Sequence, residues 1–225
     1  MKIAALIPAR KGSKRIKNKN RLSIDGNPLI EIIINTLNET NFFDELYLST
    51  DDQFLEKKYK SKLNILNRTE ELSDDHSTVI DLLKHHQSNE LKEFDIICLI
   101  FIHAINVSSR DILSAIKTLK SSSCKRLMTV CKLPVPIEWT YKLKDKSLNA
   151  NFKDAELIRS QDLEQSYFDA GQFYLYKASW FDKCQLANIA WHELTLLQSV
   201  DLDEPKDLEL LELFYKMNKQ QKKSL

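Results

Sequence analysis

Ile3-Ala4-Ala5-Leu6-Ile7-Pro8 runs into Ala9-Arg10-Lys11-Gly12-Ser13-Lys14-Arg15-Ile16-Lys17-Asn18-Lys19-Asn20. The apolar run is too short for a core helix and reads as a buried parallel strand. It breaks at Pro8 into a cationic loop with Gly12 at its bend. In open α/β sheets the ligand crevice lies beyond the carboxyl ends of the strands, so a loop of this charge would carry a polyphosphate there. A basic loop that is merely solvated is the competing reading, and the segment alone leaves both open.

Around that stretch, 225 residues at 43% hydrophobic and 29% charged suit one soluble domain spanning 1–225. The formal net charge of +1 gives no global basic field, which argues against nucleic acid as a partner and makes any anion site local. No apolar run is long enough to span a bilayer, and neither a membrane role nor a secretory leader is expected. Cys98, Cys124, Cys131 and Cys184 lack paired or zinc-type spacing, so free thiols in a reducing, cytoplasmic setting are expected. Glycine occurs only at 12, 26 and 171, and each position is expected to need backbone freedom. Arginine supplies seven of 33 basic residues, and Arg10, Arg15, Arg21, Arg68 and Arg159 fall in segments that stand out on other grounds.

Along the chain, Asp25-Gly26-Asn27-Pro28 reads as a turn opening a helix with Leu29, Ile32, Ile33 and Leu37 on one face. The strand Leu46–Leu48 ends in Ser49-Thr50-Asp51-Asp52, whose hydroxyls and carboxylates either face a crevice or, at Thr50 or Asp52, cap the next helix. A third strand, Leu63–Leu66, delivers Arg68. Ser77 or Asp75 is the candidate cap of the helix from Val79, and the adjacent His85-His86 reads as a surface pair without metal geometry. Ile96–Ile102 is the most apolar run and the expected central strand; His103 at its exit is either structural or a site residue. Ser109 is the expected cap of a helix through Leu119, and Leu127–Val130 another strand. Gly171 in Asp169-Ala170-Gly171-Gln172 reads as a hairpin bulge. Asp201 and Asp203, two apart in an extended segment, can present both carboxylates to one cation, whereas the residues alone favour Asp203 as the cap of the helix opened by Pro205.

Several of these segments resemble a known family. Ala9–Ile16 with Lys19-Asn20 is similar to the amino-terminal motif of the cytidylyltransferases that activate sialic-acid-like sugars, with Lys11 where those families usually carry a second glycine. Arg68 to Asp75 resembles their nucleotide-holding arginine segment, and Pro134–Trp139 a segment of the region that helps form the dimer. Arg159-Ser160-Gln161-Asp162-Leu163 with Asp169-Ala170-Gly171-Gln172-Phe173-Tyr174 looks like the pseudaminic acid branch. The β-strand exit Phe101–Asn106 departs from the pattern, with His103 where relatives have threonine.

The resemblance implies a three-layer α/β nucleotide-diphospho-sugar transferase fold, Rossmann-like, with a mostly parallel sheet and a dimerisation insert within 133–170. It implies transfer of CMP from CTP to a nine-carbon acidic sugar, with Mg2+ as cofactor and a homodimer as the assembly. Pseudaminic acid is the expected acceptor; N-acetylneuraminic, legionaminic and ketodeoxyoctonic acids are alternatives. The expected catalytic residues are Arg10, Lys19 and Asp203. Ala9, Arg10, Gly12, Ser13, Lys14, Asn20, Ser49 and Arg68 are expected at the nucleotide, His103, Arg159, Gln172 and Tyr174 at the sugar, and Asp201 with Asp203 at the metal. The departures at Lys11 and Phe101–Asn106 leave one alternative of another class, a CTP-binding subunit without turnover.

Overall fold

The structure is a computed structural model and describes residues 1–74, 76–154, 157–184 and 188–223. Its first strand, β1 (Ile3–Pro8), is buried along all but its last residue. A two-strand turn, β2 (Ser23–Ile24) and β3 (Asn27–Pro28), follows the basic loop, with Asp25 and Gly26 both left-handed at φ 51° and 74°. Then come α1 (Leu29–Thr40), β4 (Glu45–Thr50), α2 (Gln53–Tyr59), β5 (Asn64–Asn67), α3 (Glu70–Ser73), α4 (Val79–Ser88) and β6 (Ile96–Ile100). The second half contains α5 (Ser109–Ser121), β7 (Arg126–Lys132), the hairpin β8 (Tyr141–Lys144) and β9 (Ser147–Ala150), then β10 (Tyr167–Lys177), β11 (Ile189–Glu193) and α6 (Pro205–Lys223).

Seven of these strands form one sheet in the order β11-β7-β10-β6-β1-β4-β5. The pairs β1–β4, β1–β6, β4–β5 and β7–β11 are parallel, and only β10 runs against its two neighbours. Period-two alternation along buried strands divides the core into two layers. Ile3, Ala5 and Ile7 pack with Ile33, Leu55 and Ile116, from α1, α2 and α5. Ala4 and Leu6 face the opposite side, with Leu83 of α4, Phe94 and Trp180. This is the expected three-layer, mostly parallel α/β architecture. Strand order reverses beside β1: β4 and β5 lie on one side, β6 on the other. The exits of β1 and β6 therefore diverge around a crevice, which is where the basic loop and His103 emerge.

Four local expectations are corrected. Thr78 and Ser108, each in a reciprocal capping box with the aspartate three residues on, start α4 and α5; Ser77 and Ser109 do not, and Asp75 lies outside the described residues. His86 is fully buried rather than on the surface. Gly12 is not in the left-handed region, so its conformation does not require glycine, whereas Gly26 and Gly171 (φ 63°) are.

Asp52 does cap α2, accepting from the Phe54 amide at 2.9 Å. It also receives a two-pronged bond from Arg21, at 2.8 and 2.7 Å, with only 4% of its side chain exposed. That guanidinium bond holds the Asp52 carboxyl below the ordinary carboxylate range, against the effect of burial. Asp52→Ala is expected to destabilise the protein by roughly 2 kcal/mol in urea unfolding at neutral pH, the upper end for a lost cap. A depressed pKa contributes stability above the unfolded-state value and loses it as pH falls through the folded one. The gap between Asp52→Ala and wild type should therefore narrow in acid; a gap constant from pH 7 to 3 would contradict this role.

Candidate active site

The crevice is a cavity of about 680 Å³, within the range of small-molecule sites. Arg10, Ser13, Lys14, Lys19 and Asn20 line it from the β1 loop. Arg68 enters after β5, His103 after β6, Tyr174 from β10, and Asp201 with Asp203 from the extended stretch before α6. Ten of the residues singled out in the sequence thus converge on one space.

The loop's shape comes from hydrogen bonds to its backbone and from its arginine. The Ala9 amide donates to the Ser49 carbonyl at 2.9 Å, and Thr50 Oγ1 donates to the Ala9 carbonyl at 2.6 Å, tying the exit of β1 to the end of β4. Asn20 Nδ2 donates to the Arg10 carbonyl at 2.7 Å, closing the loop on itself. Arg10 Nη1 reaches the Asp74 carbonyl at 2.8 Å and so braces the wall beyond α3.

Leu202 is fully buried in the core, so the two aspartates flanking it turn the same way, as an extended chain requires. Lys19 Nζ lies 3.6 Å from Asp201 Oδ1 and 3.9 Å from Asp203 Oδ1, with its side chain only 20% exposed. Arg15 Nη1 holds the other Asp203 oxygen at 2.7 Å. Asp203 does not cap α6. Asp207 accepts from the amides of Asp203 and Glu204 instead, which leaves the Asp203 carboxylate for the cavity. Burial raises the Asp201 pKa, but His103 and Lys19 outweigh it and keep the carboxyl below its ordinary value.

These carboxylates fit a hard divalent cation. Both approach the same ammonium, so they can converge on one positive centre, and they offer only oxygen donors. Among the described residues no cluster of three or more ligating side chains occurs. A cation here would complete its shell with water and phosphate oxygens, as magnesium does.

His103 stacks on Phe101, ring centroids 5.4 Å apart and 9° from parallel. Its Nε2 lies 3.0 Å from the Gly171 carbonyl; a carbonyl only accepts, so Nε2 carries a proton. Burial lowers its pKa, opposed by Asp201. Tyr174 Oη donates to Asp169 at 2.8 Å, and burial followed by that bond raises the phenol's pKa. Arg68 is partly buried and makes no ion pair among the described residues. Burial pushes its pKa down to about 10, against the pull of Asp51, so it stays cationic at neutral pH and faces the cavity.

Five expected site residues do not line the cavity. Ala9 is fully buried in the backbone link to β4, and Gly12 is exposed and does not line the cavity. Ser49 points beneath the cavity floor toward His86 and Arg68. Gln172 is buried, bonded to the Ala170 and Val200 carbonyls. Arg159, with 72% of its side chain exposed, is held by Asp162 three residues on, at 2.8 Å, around a 3-10 turn. Conversely, Thr78, Val79 and Leu82 line the cavity from the start of α4 without having been singled out for it. The Thr78-x-x-Asp81 box is the sequence signal that fixes where that helix begins.

The family model described as Cytidylyltransferase matches residues 4–222. A pseudaminic acid cytidylyltransferase of Campylobacter jejuni is 29% identical over 97% of this chain and 98% of its own length. An N-acylneuraminate cytidylyltransferase of Escherichia coli is 28% identical over 93% of this chain and 51% of its own. The solved structure of a CMP:2-keto-3-deoxy-manno-octonic acid synthetase complexed with CTP shares the fold, with a TM-score of 0.71 at 17% identity over 98% of this chain and all of that one. The match over nearly the whole sequence establishes that the chain belongs to the cytidylyltransferase family.

Proposed function

We propose that this enzyme transfers CMP from CTP to the anomeric hydroxyl of a nonulosonic acid, pseudaminic acid first among them, releasing pyrophosphate. The observation that carries the reading is the meeting of Lys14, Lys19 and Arg68 with the Asp201–Asp203 pair in one cavity at the strand-order reversal. Full-length similarity to the Campylobacter jejuni enzyme favours pseudaminic acid as the acceptor.

Chemically, the sugar hydroxyl oxygen forms a bond to the α-phosphorus while the bond from that phosphorus to the bridging oxygen of pyrophosphate breaks. Lys14, Lys19 and Arg10 spread positive charge over the triphosphate, whose negative charge shifts to the leaving group as the bond breaks. Arg68 and Asn20 hold the nucleotide, and Tyr174 with His103 borders the acceptor. Asp201 and Asp203 would hold Mg2+, which when bound supplies Lewis-acid stabilisation of phosphate oxygens. The proton of the attacking hydroxyl leaves to a carboxylate or to solvent.

Acceptor labelled with 18O at the anomeric position tests this reading. Label bridging sugar and phosphorus in the CMP-sugar supports it, and label in pyrophosphate or water contradicts it. CTP binding with no product from any acceptor would instead make the protein a CTP-binding subunit.

The assembly we propose is a homodimer formed through the 133–170 insert. All eight residues of β8 and β9 are exposed, with Leu143 at 76% and Leu148 at 66%. A two-stranded hairpin gains little stability alone, and such residues are better covered by a second copy. Leu143→Lys with Leu148→Lys is expected to convert a dimer to a monomer in light scattering. An unchanged mass would move the interface elsewhere.

A further inference from the structure

Behind Arg68 runs a line of hydrogen bonds that the proposed reaction does not itself use. His86 of α4 is 0% exposed; its Nδ1 lies 3.0 Å from Glu90 Oε2 and its Nε2 3.0 Å from Ser49 Oγ. Ser49, also fully buried, accepts from Arg68 Nε at 3.2 Å. The direction of each bond follows from the groups involved. A carboxylate only accepts, so Nδ1 carries the proton. Burial holds His86 below its ordinary pKa despite Glu90, so the ring is neutral and Nε2 accepts. The Ser49 hydroxyl must then donate to Nε2, which leaves its lone pairs facing the Arg68 Nε–H.

We propose that Glu90, His86 and Ser49 form a positioning relay that sets the Arg68 guanidinium in the cavity, so that a half-exposed carboxylate outside the site controls how the nucleotide is held. Without Glu90 the imidazole is free to take the other tautomer. Nε2 would then donate to Ser49, whose hydroxyl proton would no longer be tied to the ring and could turn toward Arg68. Gripping the arginine by Nε also leaves both Nη groups for the ligand, in the planar fork suited to phosphate or a base edge. The relay rests on reading the cavity as the nucleotide site.

Calorimetric titration with CTP tests it. Glu90 is 44% exposed, so Glu90→Ala spares the core where His86→Phe could disturb it. Glu90→Ala is expected to weaken CTP binding by about tenfold, as outer-shell partners typically do. Glu90→Gln, which keeps an acceptor for Nδ1, should stay within about twofold of wild type. In an Arg68→Ala background Glu90→Ala should have almost no further effect on CTP binding, because the relay acts only through the arginine. A merely structural histidine would instead change the unfolding midpoint and leave the CTP affinity alone. If Arg68→Ala weakens CTP binding while Glu90→Ala does not, the relay is overturned and the nucleotide site stands. If neither Arg68→Ala nor Lys14→Ala affects CTP, the nucleotide reading fails and takes the relay with it.

Discussion

Lys19→Ala is expected to slow pyrophosphate release about 100-fold or more while leaving the protein folded, the loss typical when one preorganised donor is removed from a transition state. Lys19 is the cation that both Asp201 and Asp203 approach, on a side chain largely withdrawn from water. It screens two neighbouring carboxylates, and in the proposed reaction it would face the phosphates, where negative charge shifts as the bond to pyrophosphate breaks. Lys19→Arg would keep the charge but place a wider, planar group between the aspartates, and should recover only part of the rate. Circular dichroism and an unfolding midpoint near wild type would separate lost chemistry from lost fold. Turnover within about threefold of wild type would remove Lys19 from the mechanism.

Asp201→Asn combined with Asp203→Asn should lower the rate by roughly 100- to 1,000-fold, and no Mg2+ concentration should restore it. The single Asp203→Asn variant should shift half-maximal activity to higher Mg2+ before the maximum falls, because one carboxylate still provides an anchor. The substitutions are nearly isosteric, and both side chains border the cavity rather than the core, so the fold should persist. An Asp201→Asn, Asp203→Asn protein with the Mg2+ dependence of wild type would show that this pair does not hold the metal. Wild-type enzyme treated with a chelator should likewise stop, and recover on adding Mg2+.

How far the sequence could be read depended on whether local periodicity decides a residue's direction. It does so in β1, where a continuous apolar run buried on both faces has one outcome, and in α1, whose apolar spacing matches its buried face. It does so again around Leu202, where an extended chain must turn Asp201 and Asp203 together. Ser49 shows where this stops. A strand end is legible, but whether its hydroxyl rises into the crevice or points down to His86 depends on α4, a partner 37 residues away. Gln172 failed for a different reason. Ala170 and Phe173, three residues apart, face the same layer, so the two-residue alternation slips at Gly171 and Gln172 does not follow Tyr174 into the cavity. For Arg159 the competitor was local: Asp162 offers a carboxylate three residues away, which takes the guanidinium before any distant ligand can.

The decisive measurement is the initial rate of pyrophosphate release from CTP and Mg2+, with pseudaminic, legionaminic and N-acetylneuraminic acids offered separately to the wild-type protein. Release should require an acceptor and be fastest with pseudaminic acid. Release with none of the three, from a folded protein that binds CTP, would contradict it.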